Sequence, residues 1–136
     1  MVGHILNGLP AGSEIYSPLQ AKVHSFQDNN HLLDYGPTII LEHELDGVVF
    51  YTLYGHLSRT SLTGLEAGKE IEKGQKIAEL GTSNENGQWP PHLHFEIISD
   101  MLGKQGDFAG VAKVSEKEYY LNLCPNPNLI LNLPNL

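Results

Sequence analysis

Near the middle of the chain two apolar, β-branched runs face each other across a turn. Pro37-Thr38-Ile39-Ile40-Leu41-Glu42-His43 and Val48-Val49-Phe50-Tyr51-Thr52-Leu53-Tyr54 are separated by Glu44-Leu45-Asp46-Gly47. Asp-Gly readily takes the positive φ angles of a two-residue hairpin turn, so the pair predicts two antiparallel strands. Shorter extended pieces surround it: Glu14-Ile15-Tyr16-Ser17-Pro18 after a Pro10-Ala11-Gly12-Ser13 turn, and Ala21 to Phe26. Gly64 to Gly81 places glycines three residues after apolar positions, the mark of tight turns between short strands. Gln27 to Pro37 is a polar run expected to form a loop. No helix-strand alternation of the parallel α/β kind occurs, so the expected class is mainly β. Toward the C-terminus, Ser115 and Glu118 make a capping-box pair for a short helix reaching Leu123. Leu121 to Leu136 holds three prolines and five asparagines and is expected to run as an extended tail.

At 136 residues the chain is expected to form a single domain, 1–136, with a core over about 10–98 and a C-terminal extension over 99–136. Its one cysteine, Cys124, excludes an internal disulfide and a cysteine-rich zinc site; any metal would rest on His and carboxylate ligands. The net charge of −8, with eight scattered Lys and Arg, argues against a nucleic-acid partner. No charged-then-apolar leader opens the sequence and no apolar run has the length of a membrane span, so the sequence as written is expected to be cytoplasmic.

The chemistry concentrates in Pro90-Pro91-His92-Leu93-His94-Phe95-Glu96-Ile97-Ile98. Side chains alternate along a strand, so His92, His94 and Glu96 share one side and Leu93, Phe95 and Ile97 the other. The two histidine Cα atoms would lie roughly 6 to 7 Å apart. That spacing suits one ring on a metal and its neighbour aimed at the metal-bound water. His56 follows the second hairpin strand directly, after a glycine that allows close backbone approach, and points toward a cleft at the sheet rim. His24 reads as a strand-face residue without chemistry and His43 as solvated beside the turn. His31 and Asp34, in the polar loop, have a spacing open to a ligand role, although Asn- and Asp-rich loops commonly look this way for turn reasons.

Tyr54-Gly55-His56-Leu57-Ser58, then Gly74-Gln75-x-Ile77-Ala78-x-Leu80-Gly81, then Pro91-His92-Leu93-His94-Phe95-Glu96 closely resemble the M23 family of zinc metallopeptidases, the lysostaphin and LytM group. The resemblance implies antiparallel sheets of the duplicated hybrid motif type, with a groove on one of them. It also implies a zinc cofactor and a peptide substrate of the peptidoglycan cross-bridge class. Carried over by position, His94 takes the role of zinc ligand, His92 that of general base, and His56 that of stabiliser of the tetrahedral intermediate. Family members usually read His-x-Gly-x-Asp before a Pro-Ala-Gly turn and a Tyr-x-Pro segment. Here Pro10-Ala11-Gly12 and Tyr16-Ser17-Pro18 match, but upstream stands His4-Ile5-Leu6-Asn7-Gly8-Leu9. His4 would supply the first His ligand, and Asn7 or Gly8 occupies the Asp position.

An amide is a much poorer zinc ligand than a carboxylate. The resemblance makes the expectation a zinc metallo-endopeptidase domain; the Asn7 or Gly8 departure motivates the alternative, a catalytically degenerate binding module, metal-poor or metal-free. The Gly74-Gln75-x-Ile77-Ala78 segment also resembles biotinyl and lipoyl carrier domains, but those need a Met-flanked Lys at a hairpin tip, and the only methionines are Met1 and Met101.

Overall fold

The computed structural model describes residues 3–111 and 113–134. Eight strands run β1 (His4–Leu6), β2 (Glu14–Tyr16), β3 (Ala21–Asn29), β4 (Gly36–Leu45), β5 (Val48–Gly55), β6 (Glu70–Ile71), β7 (Lys76–Glu79) and β8 (Leu93–Ile98). Six form an antiparallel sheet in the order β1-β8-β5-β4-β3-β6; β2 and β7 pair separately. The class is mainly β, as the sequence predicts.

The β4–β5 hairpin turns on Asp46 and Gly47, both at positive φ (52° and 77°), and pairs Leu45 with Val48. That register puts Ile39, Leu41, Phe50, Thr52 and Tyr54 on one face with Phe95 and Ile97 of β8, while Ile40, Leu53 and Ile98 take the other. Each face has its own core. The larger joins Val23, Ile39, Leu41, Tyr54, Phe95 and Ile97 to Ile15, Leu57 and Leu80 from the β2–β7 side. The smaller packs Ile40, Leu53 and Ile98 under Tyr35, Met101, Phe108 and Cys124. Burying a side chain such as Phe95 or Ile98 stabilises the fold by about 1.5–3 kcal/mol. All six residues of β8 are buried, so the strand carrying His94 is held from both sides.

Three local expectations are corrected. The run from Gln27 to Pro37 is not all loop: β3 continues to Asn29 and β4 begins at Gly36, with those two residues paired. The polar residues stay in the strand because Asn29 is buried and its amide donates to Thr38 Oγ1 (3.1 Å) and the Gly106 carbonyl (3.0 Å). His43 is not solvated. It falls on the inward phase of β4, 2 % exposed, with Nδ1 donating to the Gln20 carbonyl (2.9 Å) and Nε2 bonded to Thr52 Oγ1 (2.7 Å).

The tail is the third. A 3-10 turn over Val114–Glu116 leads into α1 (Lys117–Leu123) without any side-chain cap bond, so the Ser115–Glu118 box is not used. Beyond it the chain does not stay extended, because Asn128–Leu131 form a second short helix, α2. Asn128 fixes that turn by bonding both the N–H and the carbonyl of Leu133, and Ile130 and Leu131 pack on the larger core. The segment between the helices meets the sheet where β1 begins, with His4 Nε2 and Asn126 Oδ1 3.1 Å apart.

Candidate functional site

His94 and Glu96 project from β8 toward the smaller core, where Tyr35 meets both. The Tyr35 hydroxyl donates to Glu96 Oε1 (2.9 Å) and lies 3.4 Å from His94 Nε2, which itself is 2.8 Å from the same Glu96 oxygen. Glu96 is fully buried, and burial holds its carboxyl above the usual range despite these two bonds. Burial likewise pushes the Cys124 thiol, beside Glu96, up to about 12.

Tyr35 can sit here because its neighbours are glycines. A Cβ on Gly55 would lie 2.9 Å from the Tyr35 ring, and one on Gly110 would collide with its hydroxyl. Asp34 Oδ1 accepts the Tyr35 N–H at 2.7 Å and fixes the approach of the loop.

His56 follows β5 in a left-handed conformation (φ 63°), uncommon for a residue with a Cβ. Three bonds hold it there: its N–H donates to the Tyr35 carbonyl (2.7 Å), its carbonyl accepts from the Gly81 N–H (3.0 Å), and Nδ1 donates to the Asn86 carbonyl (2.9 Å). Burial lowers the His56 pKa to about 4, so its ring is neutral near pH 7. His92 stands just before β8, with Nδ1 donating to the Pro90 carbonyl at 2.7 Å. The His56 and His92 ring centres are 4.2 Å apart, those of His56 and His94 6.3 Å. Trp89 stands edge-on to His56 and His92 at 6.2 and 5.8 Å. Together these side chains line a cleft of about 220 Å³, walled also by Ile5, Leu33, Asp34 and Phe108.

The structure thus brings His56, His92 and His94 together. It does not bring His4 to them. In the β1–β8 ladder His4 pairs with Phe95 and shares its face, away from His94, while Ile5 pairs with His94 and lines the cleft. Asn7 and Gly8 are exposed beyond the end of β1. His31 is exposed in its turn, and His24 is half-buried on β3, edge-on to Tyr51. Asp34 does reach the cleft wall. Tyr35 was missed by sequence reasoning, where its only signal is an aromatic next to the glycine that opens β4.

A zinc ion needs three protein ligands with donor atoms about 2.0–2.2 Å from it. Glu96 orients His94 as a carboxylate orients a metal-ligating imidazole, which suits His94 to such a role. The other two implied ligands are not there, and among the described residues no three His, Cys, Asp or Glu side chains gather to hold a metal. The residues of this cleft do not fit the zinc site that the resemblance implies.

The fold is thus an antiparallel β-sheet with a histidine-lined cleft at one end. The sequence profile of Peptidase family M23 matches residues 5–107, and the chain belongs to that family. Among solved structures it is similar to the catalytic domain of lysostaphin, the antimicrobial peptidase of Staphylococcus simulans (21% identity, TM-score 0.65, covering 98% of this chain and 80% of that one). It is also similar to LytU (22% identity, TM-score 0.63, 99% and 75% covered). A mutant catalytic domain of EnpA, a prophage-encoded M23 protein of Enterococcus faecalis, matches at 19% identity with a TM-score of 0.58, 81% and 78% covered. These likenesses establish the fold. A search of curated proteins found no significant match. Among the described residues no helix is long and apolar enough to cross a membrane.

Proposed function

We propose that this chain is an M23-fold module that binds a peptide of the peptidoglycan cross-bridge class in its histidine cleft without three-ligand zinc hydrolysis. The observation that carries this reading is the register of β1. The strand facing His94 delivers Ile5 into the cleft and turns His4 to the opposite face, toward Asn126. An apolar side chain there favours packing against a bound chain over coordinating an ion.

The second reading is the hydrolase itself, with His92 as general base, His56 as stabiliser and His94 as the zinc ligand. It is favoured by the convergence of all three imidazoles on one cleft, each tethered through one nitrogen. Metal content of untagged protein separates the two, wild type beside His94→Ala. Less than a tenth of a zinc per chain after zinc is supplied, together with measurable binding of cross-bridge peptides, is the expected result. One zinc per chain lost in the variant, with peptide cleavage, would overturn it in favour of hydrolysis.

A further inference from the structure

The tethering of the three histidines specifies what the cleft can bind. A carbonyl oxygen only accepts, so the nitrogen facing it carries the hydrogen: Nδ1 of His56 toward Asn86 and Nδ1 of His92 toward Pro90. Glu96 Oε1 accepts the Tyr35 hydroxyl and faces His94 Nε2, which places the His94 hydrogen on Nε2. In the neutral ring the other nitrogen is a bare acceptor. Among the described residues His56 Nε2, His92 Nε2 and His94 Nδ1 have no hydrogen-bond partner, and none of them is sealed from solvent; all three residues line the cleft.

The rest of the lining has the same polarity. Asp34 stands in the wall with one carboxylate oxygen on the Tyr35 N–H and the other free. The Tyr35 hydroxyl is already committed to Glu96. The Trp89 indole N–H has no partner but is buried away from solvent. Asp107 adds negative charge nearby: its carboxyl is held above the usual range by lost hydration and by the charge of Asp34. The neighbouring cation, Lys104, lies over the Phe108 ring at 5.3 Å. Among the described residues the unpartnered side-chain donor of the lining, the Trp89 N–H, is closed to solvent, while four side chains offer free acceptors.

We propose that the cleft holds a primary ammonium group of its peptide ligand, its three N–H donors shared among His56 Nε2, His92 Nε2 and His94 Nδ1, with the Asp34 carboxylate as counter-charge beside the Trp89 and Tyr35 rings. This rests on the peptide-binding reading above. Among the described residues no three His, Cys, Asp or Glu side chains gather closely enough to hold a metal, which would draw its donors to about 2 Å, whereas an ammonium hydrogen-bonds at roughly 2.8–3.0 Å. Aromatic rings add cation–π attraction. The ammonium has two sources, a free peptide N-terminus or a lysine-type side chain.

The test uses calorimetry and imidazole ¹⁵N spectra of the full chain in the presence of a chelator. The probes are Gly-Gly-Gly-amide, its Nα-acetyl form, and Nα-acetyl-Gly-Lys-Gly-amide. At least one amine-bearing probe is expected to bind at least tenfold more tightly than the acetylated triglycine and to shift the bare nitrogens of all three histidines. Which one binds identifies the source. Asp34→Asn, which keeps the acceptor for the Tyr35 N–H, is expected to weaken that probe several-fold and to narrow its advantage over the acetylated peptide. Equal binding of acetylated triglycine, or binding that leaves the imidazoles unmoved, would overturn the ammonium site while leaving peptide binding intact. Failure of every probe to bind would overturn both.

Discussion

Tyr35 concentrates more of the site's constraints than any histidine does. It orders His56 through its carbonyl, fills the space left by Gly55 and Gly110, and keeps Glu96 on His94. Removing only its hydroxyl, in Tyr35→Phe, leaves the packing and withdraws one donor from a buried carboxyl. The expected cost is about 1–2 kcal/mol in urea denaturation, with a changed ¹⁵N shift at His94. A native-like stability with an unmoved His94 resonance would show that the hydroxyl does not position the ring. His43, remote from the cleft, supplies a pH prediction. Burial lowers its pKa below the ordinary 6.5, opposed by the bond to the Gln20 carbonyl. The unfolded chain therefore takes up this proton first as pH falls. The His43 contribution is fully present above about 6.5 and is lost progressively below it. Melting temperatures measured from pH 7 to 5 are expected to fall less steeply in His43→Gln than in wild type.

At the scale of elements, turns and strands answer to different constraints, and two glycines separate them. Gly47 in the hairpin has φ of 77° and open space where a Cβ would point, so Gly47→Ala tests backbone strain alone and is expected to cost about 1 kcal/mol. Gly36 also has positive φ (61°), but its added Cβ would lie 2.5 Å from the Glu85 carbonyl oxygen and 2.8 Å from Asn86 Cα. Gly36→Ala must shift the backbone that carries the Asn86 carbonyl. It is expected to cost at least twice as much in chemical denaturation and to disturb the His56 resonances, which Gly47→Ala leaves alone. The hairpin and the Leu93–Ile98 strand were legible because alternation and Asp-Gly act locally. The phase of His43 was not, since an inward histidine depends on a carbonyl from the β2–β3 connection and a hydroxyl from β5. The capping box failed similarly: its pattern is present, but the preceding 3-10 turn places Glu116 at the helix start.

For the whole molecule, the C-terminal segment acts as part of the domain. Ile130 and Leu131 cover the larger core and Cys124 closes the smaller one, so ending the chain at Cys124 uncovers apolar surface beside Phe50 and Ile97. A lower melting temperature with increased binding of an apolar dye is the expected outcome; an unchanged melt would make the segment an accessory. The net charge of −8 matters at the same scale. If the ligand carries an ammonium, its association rate is expected to fall as salt rises from about 0.05 to 0.5 M, roughly the range over which screening shortens from beyond 10 Å to a few ångströms. The convergence of His56, His92 and His94 was readable because each lies in a short local motif. The position of His4 was not, because one residue of register in β1 decides which face a side chain takes.

The pairing of β1 with β8 also sets a clock. The first strand finds its partner only after the long stretch between Leu6 and Leu93 has been made, and the Asn126 contact of His4 comes later still. Pairings so distant along the chain close slowly, and a nascent polypeptide cannot make them at all until both partners have left the ribosome. The wall of the cleft that bears Ile5 is thus among the last parts to assemble, and a growing chain can recognise no ligand before Leu93–Ile98 has emerged.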